Sequence, residues 1–202
     1  MDGTLIDSAE QHAQAFTKTL KQAGYGVEEQ DFIRYFGMAA TEIIRKTVPG
    51  LPEEKILGVL RKKDEEYRKK VESGEVKLKP GVKKTLQKLK KKGFTLCIAS
   101  SDTRKNLETD VQKLGIKKYF TTITSAQDVT RLKPHPEQLF TTARKAGVKP
   151  EDCTLVGDTE YDVQAGKNAG MKTVILTGTL NKEQALKTGA DRIISNMEEL
   201  VK

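Results

Sequence analysis

Residues 94–100 read FTLCIAS and residues 153–158 read CTLVGD. Each is a short apolar run, partly β-branched, that ends on a hydroxyl or an acid, which is the pattern of a strand buried on both faces. Residues 121–124 (TTIT) and 173–176 (TVIL) repeat it. Between these runs lie helical periods at 82–92, 104–114, 137–146 and 161–169, each followed by a glycine: Gly93, Gly115, Gly147 and Gly170. A glycine just past the last periodic residue closes a helix in the left-handed conformation. Strand and helix alternating at this spacing predict right-handed crossovers, hence an α/β fold: a parallel sheet with helices on both faces.

The segment ahead of this block differs. Residues 8–76 show helical periods at 10–23, 31–36, 41–47 and 53–72, broken by Gly24-Tyr25-Gly26 and by Pro49-Gly50-Leu51-Pro52. Ser8-Ala9-Glu10-Gln11 has the form of a capping box that starts the first helix. The expected organisation is an α/β core of residues 1–7 plus 78–202 with a helical insertion, residues 8–77, packed over the sheet.

Composition sets outer bounds. The 202 residues carry 36 Lys and Arg against 28 Asp and Glu, a net charge of +8, with 5% aromatics and no Trp. The apolar runs are too short for a membrane span. Cys97 and Cys153 both sit in strand-like runs, which argues against a disulfide framework or a cysteine zinc site. The opening Met1-Asp2-Gly3-Thr4 has no secretory pattern, so a cytoplasmic protein is expected. The lysines concentrate at 61–70 and 83–92 and read as the solvated faces of amphipathic helices. No aromatic interleaving accompanies them, so neither a nucleic-acid partner nor a membrane partner is expected. The excess charge suits attraction of small anionic substrates.

In open parallel sheets ligands bind at the carboxyl ends of the strands. The residues there are Ser100 and Ser101, Gly157 and Asp158, with Asp162 four residues on; Asp2, Gly3 and Thr4 open the chain, and Lys133 lies in a loop that Pro134 and Pro136 should hold extended. Paired carboxylates hold a hard divalent cation such as Mg²⁺. A serine hydroxyl and backbone N–H groups at a strand-to-helix turn bind phosphate oxygens, and a lysine on a stiff loop neutralises charge. Singly, Asp158 reads as a helix cap, Asp162 as a first-turn acid, Ser100 as a turn residue and Lys133 as a surface lysine. Together and in order they make the parts of a phosphoryl-transfer site.

That order, Asp2-Gly3-Thr4, then Ser100, then Lys133-Pro134, then Gly157-Asp158-Thr159-Glu160-Tyr161-Asp162, resembles the haloacid dehalogenase superfamily over essentially the whole chain. The helical insertion resembles the cap of its phosphoglycolate phosphatase and β-phosphoglucomutase branch, and Asp7-Ser8, His12 and 166–171 (GKNAGM) add to the likeness. The resemblance implies a Rossmann-like core with an inserted helical cap, a Mg²⁺ cofactor and a small phosphorylated metabolite as partner. It implies that Asp2 is the general acid/base with its carbonyl on the metal, and that Ser100 and the Ser101 amide hold the phosphoryl oxygens. Lys133 would steady phosphate and nucleophile, while Asp158 and Asp162 would hold Mg²⁺. His12, Arg34, Thr41 and Arg45 are candidate cap contacts to substrate.

The family motif begins Asp-x-Asp-Gly-Thr, and here the x position is Met1. The nucleophilic Asp, and the central strand that carries it, are therefore expected to precede Met1, an internal methionine having been taken as the start; a variant lacking both is the alternative. The function implied is Mg²⁺-dependent hydrolysis of a small phosphomonoester through an aspartyl-phosphate. A phosphomutase and a non-catalytic binding protein stay open as rivals, and neither substrate nor oligomeric state is encoded in a readable motif.

Overall fold

The structure, a computed structural model, describes residues 1–201. Strand β1 (Ile6–Asp7) leads into four helices, α1 (Ala9–Gln22), α2 (Gln30–Ile33), α3 (Ala40–Thr47) and α4 (Glu53–Ser73). The chain then returns through β2 (Lys77–Leu78), which pairs antiparallel with β1 in the register Ile6 to Leu78. The helical segment thus leaves and re-enters through two adjacent strands. Its apolar residues form a cluster of their own around Phe16, Leu20, Phe32 and Ile44. The rings of Phe16 and Phe32 stack with centroids 4.9 Å apart.

Beyond β2 come α5 (Val82–Lys91), β3 (Cys97–Ala99), α6 (Arg104–Lys113), β4 (Thr122–Thr124) and α7 (Glu137–Ala146). The chain continues with β5 (Thr154–Gly157), α8 (Glu160–Asn168), β6 (Lys172–Leu176), α9 (Lys182–Lys187) and β7 (Arg192–Ile194). Every ladder after β2 is parallel: β3 pairs with β4, and β6 lies between β5 and β7. These are the α/β alternation and parallel pairing that the apolar runs predict. Among the described residues β3–β4 and β5–β6–β7 are separate ladders. A continuous core nevertheless joins them, since Ile98, Val174, Leu176 and Ile194 pack in one cluster with Ile6, Val82 and Tyr67. Neither β1, β2, β7 nor α9 was expected. The first two are two residues long, and the last two follow the final strong apolar run, where the chain reads as polar.

One local expectation holds and two need correction. The glycines after α5, α6, α7 and α8 do take positive φ, between 67° and 85°. Ser8 stands at the start of α1, but its hydroxyl makes no capping bond and is spent on Asp2 instead. Residues 131–136 are not extended: His135 N–H donates to the Leu132 carbonyl at 3.0 Å, closing a tight turn around a cis Lys133–Pro134 bond.

Two glycines fix the site geometry by their lack of a side chain. A Cβ on Gly3 would lie 2.0 Å from Asp158 Oδ2, and a Cβ on Gly157 would lie 2.3 Å from the Asp162 Cβ. Gly58, in the exposed interior of α4, faces open space. Gly157→Ala is expected to lower stability by about 1–3 kcal/mol through overpacking, whereas Gly58→Ala should raise it by about 0.5–1 kcal/mol through helix propensity. Thermal melts of the two variants check the opposite signs.

Candidate active site

The Met1 carbonyl accepts N–H bonds from Thr4, Leu5 and Ile6 at 3.3, 2.8 and 3.3 Å, which folds Asp2, Gly3 and Thr4 into a turn. Gly3 adopts φ 67°, a conformation that favours glycine. The turn presses Gly3 against Asp158 and sends the Thr4 hydroxyl to Asp158 Oδ1 at 2.6 Å. Thr179, from the loop after β6, donates to Asp158 Oδ2 at 2.5 Å. Asp158 is 3% exposed. Burial first, and then the neighbouring Asp162 charge, push its carboxyl above the usual range despite the two hydroxyl bonds.

Asp162 is held at both oxygens. Oδ1 takes the Lys133 Nζ at 2.7 Å. Oδ2 accepts from the Thr159 hydroxyl at 2.7 Å and from the Thr159 N–H at 3.1 Å, the reciprocal cap that starts α8. Burial works to raise its carboxyl, but Lys133 and Thr159 outweigh burial and hold it below the usual carboxylate range. Burial works to lower Lys133, but the same pairing outweighs it and holds the ammonium above its usual range.

Ser100, at the end of β3, is buried with its hydroxyl oxygen accepting the Asp102 N–H at 3.2 Å, and Gln138 Nε2 donates to its carbonyl at 2.7 Å. The hydroxyl proton thus remains to be donated. Ser101, Asp102, Lys133 and Asp158 line one cleft with Asp2 and Asp162, and residues of the helical segment close its other side. Gly37 from that segment approaches so closely that a Cβ there would sit 2.6 Å from Thr159 Cγ2.

Asp2 receives the Ser8 hydroxyl at 2.7 Å and lies 3.2 Å from His12 Nε2, both from the start of the helical segment. Burial would raise its carboxyl, yet the His12 bond and charge and the Ser8 bond hold it below the usual range. His12 in turn stacks on Tyr67, ring centroids 3.8 Å apart. The Tyr67 hydroxyl donates to Asp110 Oδ1 at 3.1 Å, and Asp110, buried and facing the charges of Asp2 and Asp102, is pushed up to about 8.

Of the expected cap contacts, the structure brings only His12 to the cleft. Arg34 pairs with Asp31, Arg45 pairs with Glu42 and Glu53 on the surface, and Thr41 lies outside the lining although its neighbours Ala40 and Ile43 are part of it. In this arrangement Arg34 and Arg45 are engaged by surface carboxylates and Thr41 stands just outside the lining, so His12 is the one of the four that borders the cleft. Lys63 and Asp102 line the cleft unexpectedly. Asp102 follows directly on Ser100-Ser101, a signal the strand-end reading passed over; Lys63 sits in a lysine-rich stretch that reads as solvated and offers no signal.

The donor set fits a hard divalent cation. Asp2, Asp102, Asp158 and Asp162 line one cleft in which Lys63 and Lys133 are the lysines. Burial raises Asp158 and Asp102, so these carboxylates lack full compensation, and Asp102 Oδ2 is buried with no hydrogen-bond partner. Carboxylate oxygens as donors suit Mg²⁺. Among the described residues the trio whose ligand atoms lie within 4.8 Å of one another is Asp2, His12 and Asp102. Asp162, fully engaged by Lys133 and the α8 cap, would act on such an ion through an intermediary.

The Lys133–Asp162 pair gives a pH test. A depressed folded-state carboxyl contributes stability that is complete above the ordinary carboxylate range and is lost as pH falls through the folded value. Lys133→Met leaves the buried carboxylate without its cation and should cost about 3–5 kcal/mol at pH 7. That penalty should shrink on acidification below about pH 5, as Asp162 takes up a proton. Urea denaturation at pH 7 and pH 4.5 checks both statements.

Comparison with known proteins agrees with this arrangement. Residues 1–176 match the haloacid dehalogenase-like hydrolase family. The chain is 27% identical, over 100% of its own length and 92% of the relative's, to the pyrophosphatase PpaX of Oceanobacillus iheyensis. It is 34% identical to the phosphoglycolate phosphatase of Aquifex aeolicus, over 87% of this chain and 81% of that one. Among solved structures it superposes on CbbY from Rhodobacter sphaeroides, crystallised with phosphate, at TM-score 0.86 and 25% identity, covering 99% and 93% of the two chains. A predicted phosphoglycolate phosphatase from Haemophilus somnus shares the fold at TM-score 0.89 and 24% identity, covering 100% and 93%. With the family matched over most of its length and its α/β fold shared with these structures, the chain belongs to the haloacid dehalogenase-like hydrolases, a family whose named relatives here are phosphatases.

Proposed function

We propose that the protein is a Mg²⁺-dependent phosphatase of a small phosphomonoester, with residues 8–77 acting as a helical cap over a core of residues 1–7 and 78–202. The observation that carries the reading is the convergence of Ser100, Lys133, Asp2, Asp158 and Asp162 on one cleft beneath the helical segment. The named relatives, a pyrophosphatase and a phosphoglycolate phosphatase, act on compact phosphorylated molecules, which supports a substrate of that size.

In this reading the Ser100 hydroxyl and the Ser101 amide take the phosphoryl oxygens, and Lys133, fixed by Asp162, adds the positive charge. Asp158, with Asp2 and indirectly Asp162, would hold Mg²⁺, which when bound offsets the charge that builds on the phosphoryl group. Provided an aspartate directly precedes Met1 in the native protein, its carboxylate is the nucleophile: its oxygen bonds to phosphorus while the ester P–O bond breaks, and the leaving oxygen takes a proton from Asp2. Water then attacks the phosphorus of the aspartyl-phosphate, Asp2 accepts its proton, and the acyl-phosphate P–O bond breaks to return the carboxylate. The contacts of Asp2 with His12 and Ser8 favour its ionised form, which is the form the water step uses. Cap closure over the cleft would exclude bulk water from the first step.

A chain extended at its amino end by an apolar strand ending in Asp is expected to release phosphate from an aryl phosphate with Mg²⁺, and residues 1–202 alone to release none. Release by residues 1–202 alone would overturn the aspartyl-phosphate route. In the extended chain Asp158→Asn should lower release by about 10²–10³-fold and abolish the rise in melting temperature that Mg²⁺ gives the unaltered protein. A glucose phosphate that isomerises without releasing phosphate would instead establish the phosphomutase reading.

A further inference from the structure

Lys63 lies in α4 with 3% of its surface exposed, while Lys62 and Lys69 of the same helix face solvent. Burying an amino group with unused donors is unfavourable unless something completes its shell. Among the described residues its Nζ has one hydrogen-bond acceptor, Asp64 Oδ1 at 3.2 Å. That oxygen is shared with Asn106 Nδ2 at 3.0 Å. Its Nζ also stands 4.9 Å from the Phe16 centroid and 5.5 Å from that of Tyr67, and its charge opposes the burial that raises the Asp102 carboxyl. A lysine head has three donors, so Lys63 retains capacity for a further acceptor, and it lines the cleft. Asp102, which also lines the cleft, takes its bonds from Asn106 and the Thr103 N–H rather than from Lys63.

The same side of the cleft is apolar. Phe36, Met38 and Ile43 line the cleft from the same helical segment that carries Lys63, whereas the phosphate-binding groups Ser100 and Lys133 come from the core. A bare inorganic phosphate would leave both this apolar surface and the Lys63 donors unmatched, and a polyol would leave the apolar surface unmatched and give Lys63 only neutral acceptors. Resting on the phosphatase reading, we infer that Lys63 determines specificity: the alcohol part of the substrate has an apolar body seated against Phe36, Met38 and Ile43 and carries a second anionic group that pairs with Lys63. The substrate class is then an anionic alkyl or aryl phosphomonoester, bound at one end by the core and at the other by the cap.

Phenylphosphonate and 4-carboxyphenylphosphonate are suitable probes, because they are bound without any bond being broken. In calorimetric titrations with Mg²⁺ the unaltered chain should bind the carboxylated probe about 10–100-fold more tightly, the range of a charge-assisted hydrogen bond. Lys63→Met, which keeps an unbranched apolar side chain among Phe16 and Tyr67, should bring that ratio to within about threefold of unity, and Lys63→Arg should keep most of it. Equal binding of the two probes by the unaltered chain, or an undiminished ratio in Lys63→Met, overturns the inference and leaves the phosphate site standing. Binding of neither probe removes the phosphate site, and the inference with it.

Discussion

The site depends on one close approach, that of the Asp2–Thr4 turn to the end of β5. Gly3 lies so near Asp158 that a single added carbon would overlap its carboxylate, and the Thr4 hydroxyl ties the two together. Because Gly157 also lacks a side chain, Asp162 packs directly beneath the strand end and orients Lys133 from across the cleft. Two glycines and one hydroxyl thus bring three separate stretches of chain to one point. Close packing makes the arrangement stiff, because every alternative placement needs space the neighbours already fill.

Electrostatics then distinguishes this cleft from a merely well-packed corner. Four carboxylates share one cleft, and burial alone would drive protons onto all of them. They separate instead into two kinds. Asp2 and Asp162 are held ionised by His12, Ser8, Lys133 and Thr159, while Asp158 and Asp102 stay raised. Carboxyl groups pushed apart in this way are the pattern that exchange of a cation or a proton requires, and this supports the proposed function. The helical segment contributes directly to this division, since Ser8 and His12 both act on Asp2. Movement of that segment over the core would therefore be felt at Asp2.

Much of this was legible in the residues. The four apolar runs gave the parallel strands, and the strand ends gave Ser100, Asp158 and Asp162, because buried strands have a strong period and their ligand-binding ends follow from topology. What escaped was tertiary. Lys63 reads as one more solvated lysine of a helical face, and only the packing of α4 beneath Phe16 and over α6 buries it. Ser8 satisfies the local grammar of a helix cap, yet its hydroxyl is turned to donate to the Asp2 carboxylate and its oxygen accepts no helical N–H. Arg34 and Arg45 were eligible by charge, but nearby carboxylates claim them on the surface. Short elements such as β1 and β2 have no readable period and are fixed only by pairing with each other.

The most direct test of the account is a crystal structure grown with Mn²⁺ and inorganic phosphate, with the ion located by its anomalous signal. The account predicts the ion on Asp158 and the phosphate between Ser100 and Lys133. An ion held by Asp2, His12 and Asp102 with Asp158 left uncoordinated would contradict it.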